Sequence, residues 1–404
     1  MGSDGKRRGR EVFFLLIPCF FFLFVFSGPA SGGIRDRNVK IALSVGEGIL
    51  KGTVSFSIVN DGFEPLGEIP FLLYPNHFTR KFLLEMYGEE VEGDHERPGA
   101  MSLRVVEPSH GAKMSGEGVL RRLILDDPIE VGEKRKFSLA FETRVPNHYA
   151  CFSAVRDSLY LQGGMFPMPY FEEASTPALN EEGTLDLEVT VDATADRKRL
   201  FVFPAGEYSA SGGELVYRVE GNFRDVGIFV ADYDVEWIGV GDFSIPLYSE
   251  RLSSRQKEQV RKTLDEVSDF LRARAPKILP FLRNLRLIEA PLRKRVAFFT
   301  SYGVVISDRI FDSIFLFQGQ HREVLAESIL GFLAASMLRN RSSQAITMAE
   351  FVGGLLNLEY RVFASLRLRD LRKTVKPFTF IPTFDRIYYE RDLPFSRSYM
   401  RTRS

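Results

Sequence analysis

Gly52-Thr53-Val54-Ser55-Phe56-Ser57-Ile58-Val59-Asn60 alternates apolar and polar residues and runs into the turn-forming Asn60-Asp61-Gly62. Successive side chains of a strand point to opposite faces, so Val54, Phe56 and Ile58 share one face. The stretch therefore predicts a strand with one buried side. Val39-Lys40-Ile41-Ala42-Leu43 before it has the same texture. So do Leu185-Asp186-Leu187-Glu188-Val189-Thr190-Val191 and Leu200-Phe201-Val202-Phe203 after it. Turn clusters at Ser211-Gly212-Gly213 and Gly239-Val240-Gly241-Asp242 separate such runs. Many short strands with regular turn signals predict an antiparallel sandwich or saddle from Val39 to about Tyr248. The polar, Gly-rich residues 85–117 predict a long loop within it.

The period changes at Ser253. Leu252, Val260, Leu264, Val267 and Leu271 fall on one face of a helix, with Ser253 or Ser254 as N-cap and Pro276 beyond its end. A short strand is expected at Leu285-Arg286-Leu287-Ile288-Glu289. Ala297 to Ser307 predicts another, kinked at Gly303. Two more helices are expected, from about His321 to Leu338 and from about Met348 to Leu366. Charge changes with the pattern. Residues 1–250 hold 25 Lys/Arg against 38 Asp/Glu, and residues 251–404 hold 28 against 15. This predicts a boundary near Glu250 and electrostatic attraction between the halves.

The chain of 404 residues is 45% hydrophobic and 26% charged, which excludes a disordered or low-complexity protein. Two cysteines exclude a disulfide scaffold. Nucleic acid is not an expected partner, because the C-terminal arginines are interleaved with an apolar helical pattern, as on solvated helix faces. At the N-terminus, Lys6, Arg7, Arg8 and Arg10 precede the apolar run Val12–Phe26 and the small residues Ser27–Gly32. Residues 1–32 read as a secretory signal, with an uncleaved anchor over residues 12–26 as the alternative. Either implies export to a periplasmic or extracellular location, with membrane contact only through this segment. Cleavage would leave Cys151 as the only cysteine, and its neighbour His148 reads as incidental.

The order of elements, together with four stretches, resembles the aminopeptidase N-type zinc metallopeptidases, a gluzincin family. The stretches are Gly67-Glu68-Ile69-Pro70-Phe71-Leu72-Leu73-Tyr74-Pro75-Asn76, Ile129-Glu130-Val131-Gly132-Glu133, Phe141-Glu142-Thr143-Arg144-Val145-Pro146 and Phe166-Pro167-Met168-Pro169. The resemblance spans roughly residues 38–360. It implies an α+β chain in three parts. These are the signal or anchor at 1–32, a β saddle domain at 33–250, and a truncated, mainly helical thermolysin-like domain at 251–404.

In that family a G-x-M-E-N strand holds the substrate amine, and an H-E-x-x-H helix plus a Glu 18 residues further on holds zinc. Ala297-Phe298-Phe299-Thr300-Ser301 resembles the first element, with Thr300 at the place of the amine-binding carboxylate. After Val324-Leu325-Ala326, the resemblance puts Glu327, Ser328 and Gly331 where His, Glu and His belong, and Glu350 at the third ligand. The histidines stand at 77, 95, 110, 148 and 321, and no two are four apart. An H-E-x-x-H helix is therefore absent from this sequence.

What the resemblance implies is a degenerate member, exported and kept as a binding or assembly module. The alternative is a hydrolase with a carboxylate site rebuilt around Glu323, Glu327, Glu350 and a tyrosine, Tyr388 or Tyr389. No cofactor is expected, and zinc only if the site has been rebuilt. Glu350 also fits a capping box, Thr347-Met348-Ala349-Glu350. His321 reads as an ordinary helix-start residue. Only 54 residues follow Glu350. A shortened domain exposes apolar surface and so predicts a covering protein partner, with a peptide as the other possible ligand.

Overall fold

The structure, a computed structural model, describes residues 33–338 apart from 79–97, 170–184 and several shorter stretches, together with Gly353, Leu356 and Tyr360. The expected signal or anchor, Cys151, His148, the bounds of the third helix, Glu350, Tyr388 and Tyr389 lie outside the described residues.

The alternating stretch sits near the centre of a seven-stranded sheet. In spatial order its strands are Glu207–Ser211, Glu214–Gly221, Leu185–Asp192, Gly33–Ser44, Ile49–Val59, Lys134–Arg144 and Ala100–Glu107. Val54, Phe56 and Ile58 are buried, as their spacing predicts. They face a four-stranded sheet of Met168–Pro169, Leu66–Leu72, Leu120–Ile129 and Ala112–Ser115. Phe56 meets Phe71 across the layers and Phe137 within its own sheet, both at 5.7 Å between ring centroids. In these two sheets one pair departs from the antiparallel expectation: Gly33–Ser44 runs parallel to Leu185–Asp192. Parallel neighbours need a long crossover, and here the whole second sheet lies within it. The expected loop over 85–117 also contains two strands, Ala100–Glu107 and Ala112–Ser115. Both are sheet edges with half their side chains in water, so few apolar residues mark them.

A third sheet, Arg199–Phe203, Gly227–Ala231, Ser158–Leu161 and Phe152–Val155, leads to a fourth. The fourth is mixed, in the order Asp234–Val240, Phe243–Ser249, Leu287–Ala290, Val304–Ser307 and Ala297–Phe299. Its first two strands precede Glu250, so this layer is built from both sides of the charge reversal. Leu287, Val304 and Ile306 pack toward the helices, while Ile288, Ala290 and Val305 pack with Phe203, Phe229 and Tyr233. Both faces are covered, which is why Leu287–Ala290 and Val304–Ser307 are buried throughout. Tyr302 crosses this joint: its hydroxyl donates to the Gln162 carbonyl at 2.9 Å.

The helical layer comprises α1 (Ser254–Arg274) and α2 (Phe315–Leu338). Ser253 is the N-cap of α1 in a capping box. The Ser253 Oγ accepts from the Gln256 N–H at 3.3 Å, and the Gln256 side chain accepts from the Ser253 N–H at 2.8 Å. Ser253→Ala should lower stability by about 1 kcal/mol, read from urea unfolding. An unchanged midpoint would mean that Gln256 alone holds the start. The second helix starts at Phe315, not near His321. Gly319 breaks the apolar pattern there, yet its propensity cost of about 1 kcal/mol is outweighed by packing of the turns that follow.

Candidate functional site

The place to look for chemistry is α2, where it passes the strand Ala297–Phe299. Ser328 is buried and its Oγ donates to the Val324 carbonyl one turn back, at 2.8 Å. The hydroxyl is thereby tied to its own helix. Glu327 is exposed. Gly331 is buried, and the ring of Phe299 lies against it. A Cβ at Gly331 would come within 2.6 Å of the ring's Cε1 and 2.7 Å of its Cδ1. A third helical segment, which includes Gly353, Leu356 and Tyr360, closes the other side. A Cβ at Gly353 would sit 3.1 Å from the Gly331 Cα. Two glycines here allow backbone to meet backbone.

Zinc needs three or four nitrogen, sulfur or oxygen ligands converging at about 2.0–2.3 Å. The positions in question offer an exposed carboxylate, a hydroxyl bonded to its own helix and a glycine under an aromatic ring. These three described positions by themselves do not fit the ion. Among the described residues no group of three or more His, Cys, Asp or Glu is placed to hold a metal.

Thr300 has a structural task. Its N–H and its Oγ1 both donate to the Gly303 carbonyl, at 2.8 and 2.9 Å, and the Oγ1 accepts from the Gly303 N–H at 3.1 Å. It closes the turn between Ala297–Phe299 and Val304–Ser307. Part of the sequence-derived set, Glu350, Tyr388 and Tyr389, lies outside the described residues. Thr300 serves the turn, Glu327 faces solvent and Ser328 faces its own helix. What the fold does bring together is Phe299, Gly331 and Gly353.

Among the described residues, a polar centre that residue spacing did not single out gathers around Glu289. Glu289 is 3% exposed, and its carboxylate accepts from three consecutive backbone N–H groups. These belong to Glu250 (2.8 Å), Arg251 (3.0 Å) and Leu252 (3.3 Å), just before α1. Burial pushes its pKa above 4.5, and the three backbone donors pull the other way. Glu250 accepts from the Tyr160 hydroxyl at 2.9 Å and pairs with Arg251 at 3.2 Å. The Tyr233 hydroxyl donates to the Glu289 carbonyl. Burial, then the Glu250 charge, holds Tyr160 far above its usual pKa, so it remains a donor. The centre ties α1, the fourth sheet and the third sheet together. A sequence signal existed: Glu289 interrupts the run Leu287-Ile288-Glu289-Ala290, which is otherwise apolar.

A second polar centre joins the helices. Arg322 on α2 donates to Glu266 (3.1 Å) and to the Gln259 side chain (3.2 Å) on α1, and the Tyr360 hydroxyl reaches Glu266 at 3.3 Å. It braces three helical segments, and burial together with the Glu266 charge raises the Tyr360 pKa.

No protein-family model matches the chain, and no curated protein matches it in sequence. Among solved structures, the chain is similar over most of its length to M1 zinc metallopeptidases. One is the M1 zinc metallopeptidase from Deinococcus radiodurans, with 13% identity, a TM-score of 0.47, and coverage of 86% of this chain and 76% of that one. Another is a mutant of that organism's enzyme bound to a Tyr-Ser-Ala substrate, with 11% identity, a TM-score of 0.45, and coverage of 88% and 96%.

Proposed function

We propose that this protein is an exported, aminopeptidase-like module that has exchanged zinc chemistry for packing and acts by binding a protein partner. The observation that carries the reading is the filled position at Gly331. A helix site built for a ligand needs a side chain there and open space in front of it. Here a ring and a second helical backbone occupy that space. The sequence supports the same reading, since no pair of histidines four residues apart exists anywhere in it. Support for export comes from the charged and apolar N-terminal pattern. Support for a binding role comes from the single tryptophan, Trp237, which is 63% exposed on an edge strand of the fourth sheet. Exposed tryptophans are enriched at interface hot spots.

The test is elemental analysis of the purified chain beside a panel of aminoacyl and peptide substrates, with and without chelator. The expected result is no stoichiometric metal and no chelator-sensitive hydrolysis. About one metal per chain, lost in Glu350→Ala, would overturn the proposal and establish a rebuilt carboxylate site.

A further inference from the structure

The chain between Val304–Ser307 and α2 passes through a turn that two side chains hold from opposite sides. From α1, the Gln256 Nε2 donates to the carbonyls of Asp308 (3.1 Å) and Ile310 (2.8 Å). From α2, the His321 Nδ1 accepts from the Phe311 N–H at 2.9 Å. Phe311 is the one non-glycine residue with a positive φ among those described, at 59°. That backbone conformation is disfavoured for a bulky side chain and persists only where its surroundings enforce it. Phe311 is 2% exposed, and its ring packs 6.0 Å from the imidazole. Its N–H is thus sequestered, and the imidazole lone pair is its acceptor.

An imidazole nitrogen accepts only when it carries no proton. We infer that His321 is a pH-sensitive latch, whose neutral form holds the left-handed turn at Phe311 and whose protonation releases the chain between the fourth sheet and α2. In the cation both ring nitrogens donate, so the Phe311 N–H would face another N–H. His321 is half-buried and Phe311 is buried, so it is the Phe311 N–H that would lose its acceptor. One turn back on α2, the Gln318 Nε2 is itself buried without an acceptor.

The surrounding elements carry charged groups, and α1 alone holds Arg255, Lys257, Glu258, Arg261, Lys262, Asp265, Glu266, Asp269, Arg272 and Arg274. On α2 they are Arg322, committed to Glu266 of α1, and the exposed Glu323. On the turn they are Asp308, Arg309 and Asp312. On Leu279–Asn284 there is Arg283, which donates to the Pro280 carbonyl. The strands Ala297–Phe299 and Val304–Ser307 carry none. Burial alone lowers the His321 pKa below 6.5. The sign follows from linkage. A histidine depressed in the folded state contributes stability that is present above its unfolded pKa and lost as pH falls through the folded value.

The experiment is amide hydrogen exchange on the full chain between about pH 7.5 and about pH 5, expressed as protection factors against intrinsic rates. The Val304 amide, bonded to the Arg286 carbonyl at 2.8 Å, serves as reference. As pH falls from about 6.5, the ordinary imidazole value, toward the lowered folded pKa of His321, protection at Phe311 should fall by up to roughly tenfold per pH unit relative to Val304 and level off below it, as a one-proton linkage requires. His321→Asn keeps an acceptor near the Nδ1 position and cannot titrate, so its Phe311 protection should stay flat. Constant protection in the natural chain, or an equal fall in His321→Asn, would overturn the latch. If that variant does not fold, nitrogen NMR of the natural imidazole decides. An unprotonated Nδ1 with a midpoint below 6.5 supports the latch, and a protonated Nδ1 in the neutral ring overturns it.

Discussion

Replacing Glu289 by Ala should cost about 3–5 kcal/mol, among the largest losses available to a single substitution in this chain. The buried carboxylate is acceptor to three backbone N–H groups, with the Leu252 bond buried and the Glu250 and Arg251 bonds part-buried. Removing it leaves those donors unpaired, at roughly 1–3 kcal/mol each where nothing replaces the acceptor. Solvent entering the space would reduce the sum, which is why the expected figure lies below the simple total. Glu289→Gln should lose less, about 1–2 kcal/mol, because one amide oxygen still accepts and burial already penalises the charge. Chemical denaturation of both variants measures this. A loss below about 1 kcal/mol in the alanine variant would mean that the strand and α1 do not depend on the carboxylate to stay joined.

The second large effect concerns Gly331. Any side chain there must displace the Phe299 ring, since even a Cβ would approach it to 2.6 Å. Glycine to alanine inside a helix normally stabilises by about 1 kcal/mol. Here overpacking should outweigh it, for a net loss of roughly 1–3 kcal/mol, with Gly331→His losing more. The loss should be coupled to Phe299. In a double-mutant cycle, Phe299→Ala should relieve Gly331→Ala by about 1–2 kcal/mol. Restoring a histidine pair, Glu327→His with Gly331→His, should still yield no stoichiometric zinc binding by calorimetry. Tight zinc uptake by that variant would show that the ring and the neighbouring helix move aside at little cost, and the argument for a filled site would fail.

These two residues also mark how far the sequence could be read. Alternation exposed the strand around Val54, Phe56 and Ile58, because a half-buried sheet writes its two faces into successive residues. The period change at Ser253 exposed α1 and its cap for a similar reason: capping and amphipathicity are local. Ala100–Glu107 and Ala112–Ser115 escaped because edge strands in contact with water carry polar residues that read as loop. The parallel pairing of Gly33–Ser44 with Leu185–Asp192 escaped because register between distant strands leaves no short-range pattern. At the candidate site, the absence of a histidine pair was legible from residue identities alone. That Phe299 lies on Gly331 was not, because the contact spans two elements and depends on how they cross. Glu289 was visible as a charge in an apolar run, but its three backbone partners lie nearly forty residues away. His321 reads as a helix start because Gly319 interrupts the apolar pattern and hides the first residues of α2.

The parallel pair bears on the order in which the molecule can assemble. Asn38 and Asp186 are neighbours across it, joined by a hydrogen bond between positions 148 residues apart. Gly33–Ser44 can zip onto Ile49–Val59 as soon as both emerge, since they form a hairpin. Its opposite edge must wait for Leu185–Asp192. At ordinary synthesis rates of about 5–20 residues per second, that wait is on the order of ten seconds. Through that interval the nascent chain carries an open strand edge bearing Val39, Ile41 and Leu43, a template for wrong pairing. The topology therefore makes slow, non-local folding a property of this chain and makes its first strand a natural point of protection while the rest of the chain is being made.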